Sequence, residues 1–240
     1  MNKLRSLIFV TVMAIITPPL ALIIIFSFPL PPRARLHSAK PFVNTTIWLM
    51  ENILGIRHNV VGAENIPATP CVVLAKHQSL YETLVLQKIF RDTVFVFKRE
   101  LHWIPFIGWG LAATPMIAID RAAGRDALRQ LASIGGERLT QGFTVAIFPE
   151  GTRSKPGAQQ KHKPGGAHLA AKAGALAVPL AQNSGECWGD HLLDKRPGVV
   201  TVSVGPAIDP HGLTTSEISR RAEAWIEAEM RRISPHLYPR

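Results

Sequence analysis

From residue 60 onward, the chain alternates short apolar runs with longer stretches in which apolar residues recur at helical spacing. The short runs are rich in β-branched residues, which favours buried strands, and the longer stretches favour amphipathic helices. The predicted strands cover residues 71–75, 94–97, 116–119, 144–148, 175–181 and 199–204, and the predicted helices cover residues 80–90, 125–140, 165–173 and 216–233. This alternation predicts an α/β fold, a mostly parallel sheet flanked by helices.

The N-terminal part carries a long apolar run with no charged residue, over residues 6–32. About 20 consecutive apolar residues can cross a bilayer, so the run predicts a membrane-anchoring helical segment. A cleaved signal peptide is less favoured, because the run is too long and no small-residue cleavage site precedes Arg33. Pro18 and Pro19 should kink or break the helix, so a bent or re-entrant anchor competes with a simple span.

Residues 42–56 mix apolar residues with Asn44, Glu51 and Asn52. This pattern is typical of an amphipathic helix lying on the membrane surface, and a helix packed on the globular core is the alternative. We therefore predict an anchoring helical segment over residues 1–58 and an α/β domain over residues 59–240.

Charge narrows the choice of partners. The sequence has 27 Lys and Arg against 17 Asp and Glu, a formal net charge of +10. Such a balance favours nucleic acid, anionic lipid headgroups or phosphorylated substrates. The two cysteines, Cys71 and Cys187, form neither a disulfide framework nor a zinc pattern, which suits a reduced compartment. Basic residues flank both ends of the apolar run, so they indicate no orientation in the membrane.

The first candidate site contains His77, directly after a predicted strand, and Glu82, at the start of the next predicted helix. The two side chains can meet only across a strand-to-helix turn, because residues five apart on a continuous helix point about 140° apart. A carboxylate bonded to one imidazole nitrogen leaves the other nitrogen as a base toward a hydroxyl. Alternatively, Ser79 and Glu82 form a capping box, in which Glu82 only bonds backbone.

The second candidate site is the string Phe-Pro-Glu-Gly-Thr-Arg-Ser at residues 148–154. Pro149 ends strand pairing, Gly151 permits a tight turn, and Arg153 can grip a phosphate through two parallel hydrogen bonds. On composition alone, a plain polar turn remains the alternative.

Four blocks, at residues 77–82, 117–121, 148–154 and 177–181, resemble the glycerolipid acyltransferase family, in particular its bacterial 1-acylglycerol-3-phosphate acyltransferases. The resemblance covers roughly residues 60–206. It implies that His77 deprotonates the acceptor hydroxyl and that Glu82, where the family usually has Asp, orients and stabilises the imidazolium. The substrate-binding residues that it implies are Lys98, Arg121, Glu150, Gly151, Thr152, Arg153 and Pro179.

The resemblance further implies transfer of a fatty acyl group to the sn-2 hydroxyl of 1-acylglycerol 3-phosphate, forming phosphatidic acid in phospholipid biosynthesis. The donor would be acyl-CoA or acyl-carrier protein, attacked directly, with no metal, cofactor or acyl-enzyme. Open alternatives are another acceptor, such as glycerol 3-phosphate, a lyso-ornithine lipid or another lysolipid, and a non-enzymatic basic module that binds membranes. We expect the partners to be the bilayer, the lysophospholipid and the thioester, with no nucleic acid.

We expect the protein to be located at the inner membrane, with the catalytic domain facing the cytoplasm.

Three aromatic residues, Trp103, Phe106 and Trp109, could contact lipid or line an acyl pocket, but packing in the core is the favoured interpretation.

Overall fold

The computed structural model describes residues 1–238, in which seven strands form one sheet of order β1-β7-β6-β2-β5-β3-β4. All neighbouring strands are parallel except β6 and β7, so the predicted mostly parallel sheet is confirmed. The strands are β1 (Ile56–Val61), β2 (Val72–Ala75), β3 (Thr93–Lys98), β4 (Ile117–Ile119), β5 (Thr144–Ile147), β6 (Ala177–Gln182) and β7 (Gly198–Val204).

Helices cover both faces of the sheet, because successive side chains of β2 are buried in two different apolar clusters. Val73 and Ala75 pack in one apolar cluster, and Val72 and Leu74 pack in another, because successive strand residues point to opposite faces. The helices are α1 (Asn2–Phe26), α2 (Pro32–Ser38), α3 (Lys40–Leu49), α4 (Tyr81–Ile89), α5 (Ile107–Ala113), α6 (Arg125–Thr140), α7 (Gly165–Ala173) and α8 (Thr215–Ile233). α1, α3 and α4 contribute to the first cluster, and α6, α7 and α8 to the second.

The segment predicted as one helix over residues 42–56 is divided. α3 continues into a π-helical turn at Met50–Leu54, Gly55 ends it with φ +71°, and β1 begins at Ile56. The predicted domain boundary at residue 58 thus falls inside β1. Val43 and Ile47 of α3 are buried in the same core as the strands, as the packed-helix alternative expected.

α1 runs continuously through Pro18 and Pro19, so the expected break does not occur. Each proline removes one backbone hydrogen bond, but packing at Phe9 and Ile24 holds the helix on either side of the pair. At 25 residues, α1 is long and apolar enough to cross a membrane.

α1 lies along the globular part of the chain. Near its start, the Ser6 hydroxyl accepts a hydrogen bond from the backbone of Lys195, and near its end Ile24 packs against Ala113 of α5. Its outer face remains apolar and exposed, with Ile15 68% and Phe26 79% accessible.

The core packing expected for Trp103, Phe106 and Trp109 is wrong for two of these three residues. Trp103 is 85% exposed and Trp109 is 49% exposed, whereas Phe106 is partly buried. Trp109 is exposed because α5 turns its small residues Gly110 and Ala113 toward α1.

Candidate active site

The carboxyl end of β2 and the first turn of α4 bring the two predicted catalytic residues together. His77 Nδ1 lies 2.8 Å from Glu82 Oε2. The imidazole stacks on the Phe148 ring, with centroids 4.0 Å apart and planes 18° apart. Glu82 is only 2% exposed, whereas His77 is partly accessible. The contact through Nδ1 leaves Nε2 as the nitrogen that can accept a proton from a substrate.

The other oxygen of Glu82 has a separate set of partners. Oε1 accepts hydrogen bonds from the Ser79 backbone N–H at 2.7 Å, from the Ser79 hydroxyl at 2.9 Å and from the Ser184 hydroxyl. The Ser79 hydroxyl accepts from the backbone of Tyr81. The bond from the Ser79 N–H to Glu82 is the carboxylate half of a capping box. The geometry is therefore compatible with both interpretations of Glu82, one on each oxygen.

The loop of residues 148–154 fixes the backbone of His77 from both sides. The Ser154 N–H and hydroxyl donate to the His77 carbonyl at 2.7 and 3.0 Å. The His77 N–H donates to Glu150 Oε1 at 3.2 Å. Both polar groups of the His77 main chain are thus satisfied by the second motif, which holds the imidazole in place.

Within this loop, the Glu150 side chain is buried and belongs to an ionic cluster. Lys76 Nζ, fully buried, lies 3.5 Å from Glu150 Oε1 and 2.9 Å from Glu227 Oε1 of α8, and donates to the Ala158 carbonyl at 3.1 Å. Burial raises the pKa of Glu150, an effect that the Lys76 charge opposes. The Glu150 side chain, which was expected to bind substrate, has no exposed surface in this cluster.

Two cations meet at Gly151. Arg121 donates to the Gly151 carbonyl, and a β-carbon at Gly151 would lie 2.8 Å from Lys163 Nζ. Gly151 has φ +74°, so glycine is favoured here both by conformation and by the space that Lys163 occupies. Lys98 ends β3 in register with Ile119, two residues before Arg121.

The remaining predicted residues divide between surface and interior. Thr152 and Arg153 are exposed, and within residues 1–238 neither Arg153 nor Lys98 pairs with a carboxylate. Pro179 is instead buried inside β6, in register with Leu74, and its carbonyl accepts from Gly205. Pro179, predicted to contact substrate, therefore lies within the sheet.

Sequence reasoning missed Lys163 and two residues at the end of β6. Gln182 Nε2 donates to the Lys76 carbonyl at 3.1 Å, and Ser184 bonds Glu82 as described. For Gln182 and Ser184 a signal was available, because they are polar residues at the end of a buried strand, and such strand ends carry sites in parallel sheets.

An apolar groove of about 460 Å³ adjoins the site. Arg121 and Lys163 stand at this groove with Gly151 between them. Its apolar lining includes Ile119, Leu128, Leu131, Ile147 and Phe148. The volume falls within the range of small-molecule sites, roughly 300–1,000 Å³, and the lining suits a hydrocarbon chain attached to an anion.

Comparisons with known proteins place these features in context. The sequence model of the acyltransferase family matches residues 57–183, a range that contains every predicted site residue. The 1-acyl-sn-glycerol-3-phosphate acyltransferase of Pseudomonas aeruginosa is 44% identical over 210 residues, covering 86% of this chain and 82% of the relative. The alpha form of the enzyme from Mus musculus is 33% identical over 179 residues, covering 72% of this chain and 62% of the relative.

A solved structure supports the fold independently. The crystal structure of the 1-acyl-sn-glycerophosphate (LPA) acyltransferase from Thermotoga maritima superposes with a TM-score of 0.79 at 24% identity. The match covers 97% of this chain and 96% of that one, so it includes the N-terminal helices as well as the sheet.

Proposed function

The chain belongs to the acyltransferase family, and from this premise we propose that it transfers a fatty acyl group to the sn-2 hydroxyl of 1-acylglycerol 3-phosphate, forming phosphatidic acid. The observation that carries the proposal is the 2.8 Å contact between His77 Nδ1 and Glu82 Oε2, which leaves Nε2 free to act on a hydroxyl. The names of the relatives support the choice of acceptor.

In the proposed reaction, His77 Nε2 takes the proton of the acceptor hydroxyl while the oxygen attacks the thioester carbonyl carbon. Glu82 stabilises the imidazolium that forms. The tetrahedral intermediate then collapses, the C–S bond breaks, and the imidazolium returns the proton to the departing thiolate. The acyl group passes directly between substrates, so the scheme uses no cofactor and no metal.

The state of the cysteines supports direct transfer. Burial raises the pKa of the Cys71 thiol to about 11, and burial also raises the pKa of Cys187. Both thiols are therefore protonated at neutral pH and are poor nucleophiles. Neither cysteine needs to carry the acyl group.

For acceptor binding, we propose that Lys98, Arg121 and Arg153 bind the phosphate of the acceptor, with Lys163 as a fourth cation. The apolar groove beside Arg121 and Lys163 would hold an acyl chain. Gly151 and Thr152 shape the loop that carries Arg153. Glu150 acts as a positioning residue, because it bonds the His77 backbone rather than the surface of the site.

We propose that the outer apolar face of α1 lies embedded in the inner membrane, with the catalytic domain on the cytoplasmic side. Contacts at both ends of α1 with the globular part favour a helix that lies along the bilayer surface over one that crosses it. A reduced compartment suits two free cysteines, and it is where acyl thioesters are made available.

An assay with purified, full-length protein tests this function. Phosphatidic acid formation would be followed by mass spectrometry, with both acyl-CoA and acyl-carrier protein as donors. The acceptors would be 1-acylglycerol 3-phosphate, glycerol 3-phosphate and a lyso-ornithine lipid. We expect the highest kcat/KM with 1-acylglycerol 3-phosphate. A higher value with another acceptor would overturn the assignment, and activity with none would favour the non-enzymatic alternative.

A further inference from the structure

Residues 101–109, which we call the aromatic segment, expose more apolar surface than a soluble domain usually leaves uncovered. Trp103 is 85% exposed, and its neighbours Ile104, Ile107 and Trp109 are 41%, 49% and 49% exposed. These side chains follow one another closely along the chain, so they form a patch rather than scattered exceptions. Nothing in the proposed reaction uses them.

Close backbone contacts define the turn that exposes these residues. The Gly108 N–H donates to the Ile104 carbonyl at 2.7 Å, and a β-carbon at Gly108 would collide with the carbonyls of Leu101 and His102. Phe106 adopts φ +61°, which is unfavourable for a bulky residue. Strained backbone of this kind persists only where surrounding contacts impose it, so the turn at Phe106, between Trp103 and Trp109, is set by the fold.

The aromatic segment continues the apolar surface of α1. Gly110, which follows the segment, faces Ile24, since a β-carbon there would lie 3.9 Å from Ile24 Cδ1, and beyond Ile24 the chain exposes Phe26, Phe28 and Leu30 by 79%, 62% and 50%. The two patches therefore adjoin at the end of α1. A surface continuous with an apolar anchor is expected to meet the same partner as that anchor.

The charges around this surface suit anionic lipid. Lys98 and Arg99 precede the segment and are exposed, with Arg99 also paired to Asp120 at 3.0 Å, and the Arg35 guanidinium lies 5.5 Å from the Phe28 ring. Tryptophan with neighbouring basic residues is typical of the boundary between hydrocarbon and headgroups.

We propose that the aromatic segment inserts into the membrane as a second contact beside α1. This inference rests on the membrane attachment proposed above. The segment directly follows Lys98 at the end of β3, on the sheet edge that carries His77 and Arg121. Its insertion holds that edge against the bilayer, so that an acceptor lipid reaches His77 without leaving the membrane.

A fluorescent label tests the insertion directly. Both native cysteines are buried, so Trp103→Cys offers one accessible thiol for an environment-sensitive fluorophore. The matched control is Lys172→Cys, exposed at the end of α7 on the opposite edge of the sheet. With vesicles of phosphatidylethanolamine and phosphatidylglycerol, the label at 103 should shift to the blue and be quenched by brominated acyl chains, whereas the label at 172 should not.

Equal, water-like emission from both labels on vesicle-bound protein would overturn the proposal. A second measurement uses the double variant Trp103→Ser, Trp109→Ser, which should bind the same vesicles at least about tenfold more weakly than wild type. Unchanged vesicle binding would also overturn it. An inserted label on a protein without acyl transfer activity would instead contradict the proposed function and leave this inference standing.

Discussion

Glu82 divides its two carboxylate oxygens between two separate sets of partners. Oε1 is occupied by donors from Ser79 and Ser184, and Oε2 faces His77. A capping residue alone would require only the first set. The contact with His77 is the one that an acid orienting the imidazole would make, while the contacts of Oε1 fix the carboxylate at the start of α4. Substitutions at Glu82 can therefore separate the capping role from the orienting role.

Glu82→Gln should lower kcat by about 10² to 10⁴-fold with little change in thermal stability. The glutamine oxygen can keep the partners of Oε1, but its amide then donates to His77 Nδ1 and places the ring proton on Nε2, the nitrogen that must act as base. Glu82→Asp should fall between wild type and Gln. Steady-state kinetics and thermal unfolding of the three proteins check this. A well-folded, nearly fully active Gln variant would exclude the relay.

Arg153 is exposed and has no carboxylate partner within residues 1–238, so it is free to bind an anion. Arg153→Ala should lower kcat/KM for the acceptor roughly 10- to 150-fold, mainly through KM, since a charge-assisted contact is worth about 1.5–3 kcal/mol. Arg153→Lys should recover part of the loss. Arg129→Ala, an exposed arginine on α6, serves as control. Acceptor kinetics unchanged from wild type would remove Arg153 from the phosphate site.

At the scale of elements, Lys76 joins the site to the last helix. It lies between Glu150 of the 148–154 loop and Glu227 of α8, with no exposed surface. One lysine faces two carboxylates, and each glutamate keeps one buried oxygen without a partner among residues 1–238. α8 therefore supports the turn that carries His77 through a charge rather than through apolar packing alone.

Lys76→Met should lower the free energy of unfolding by about 3–5 kcal/mol, because it leaves buried carboxylates without their cation. Adding Glu227→Leu should restore part of this loss, since one of the two uncompensated groups is then removed. Chemical unfolding in detergent would measure the single and double variants. If both substitutions proved simply additive, the two residues would not be coupled.

Most elements could be predicted because their patterns are local. The buried strands β2, β5 and β6 are short apolar runs, and their bounds lie within two residues of the prediction. β1 escaped prediction because its sequence, Ile-Arg-His-Asn-Val-Val, is half polar and is separated from the helical residues before it by a single glycine, Gly55. α5 escaped because two glycines weaken its helical pattern.

The parts of the site that depend on local sequence could likewise be predicted, and the parts that depend on distant residues could not. The spacing of His77 and Glu82 is local, so the pair could be predicted from a strand followed by a helix. Ser184 lies about a hundred residues beyond Glu82, and only the folded sheet brings them together. A resemblance between short strings also cannot distinguish a buried residue from an exposed one, so the burial of Glu150 and Pro179 could not be predicted from it.

At the scale of the whole molecule, His162 couples stability to pH. Its side chain is buried, and burial lowers the pKa from 6.5 to about 4, although Glu223 nearby opposes the shift. The unfolded chain binds the proton more readily, so this group's contribution to stability is present above pH 6.5 and is lost as the pH falls toward 4.

Wild type should therefore lose roughly 2 kcal/mol more of unfolding free energy between pH 7 and pH 5 than His162→Asn does. Unfolding of both proteins in the same detergent, at each pH, provides the measurement. Parallel losses in the two proteins would show that His162 does not titrate with folding.

The central claim, that His77 is the base in acyl transfer to 1-acylglycerol 3-phosphate, has one most direct test. It is the rate of phosphatidic acid formation by purified His77→Ala protein at saturating donor and acceptor, compared with wild type of equal thermal stability. We predict a loss of at least about a hundredfold in kcat. A kcat within a fewfold of wild type, in a protein that is equally well folded, would contradict the account.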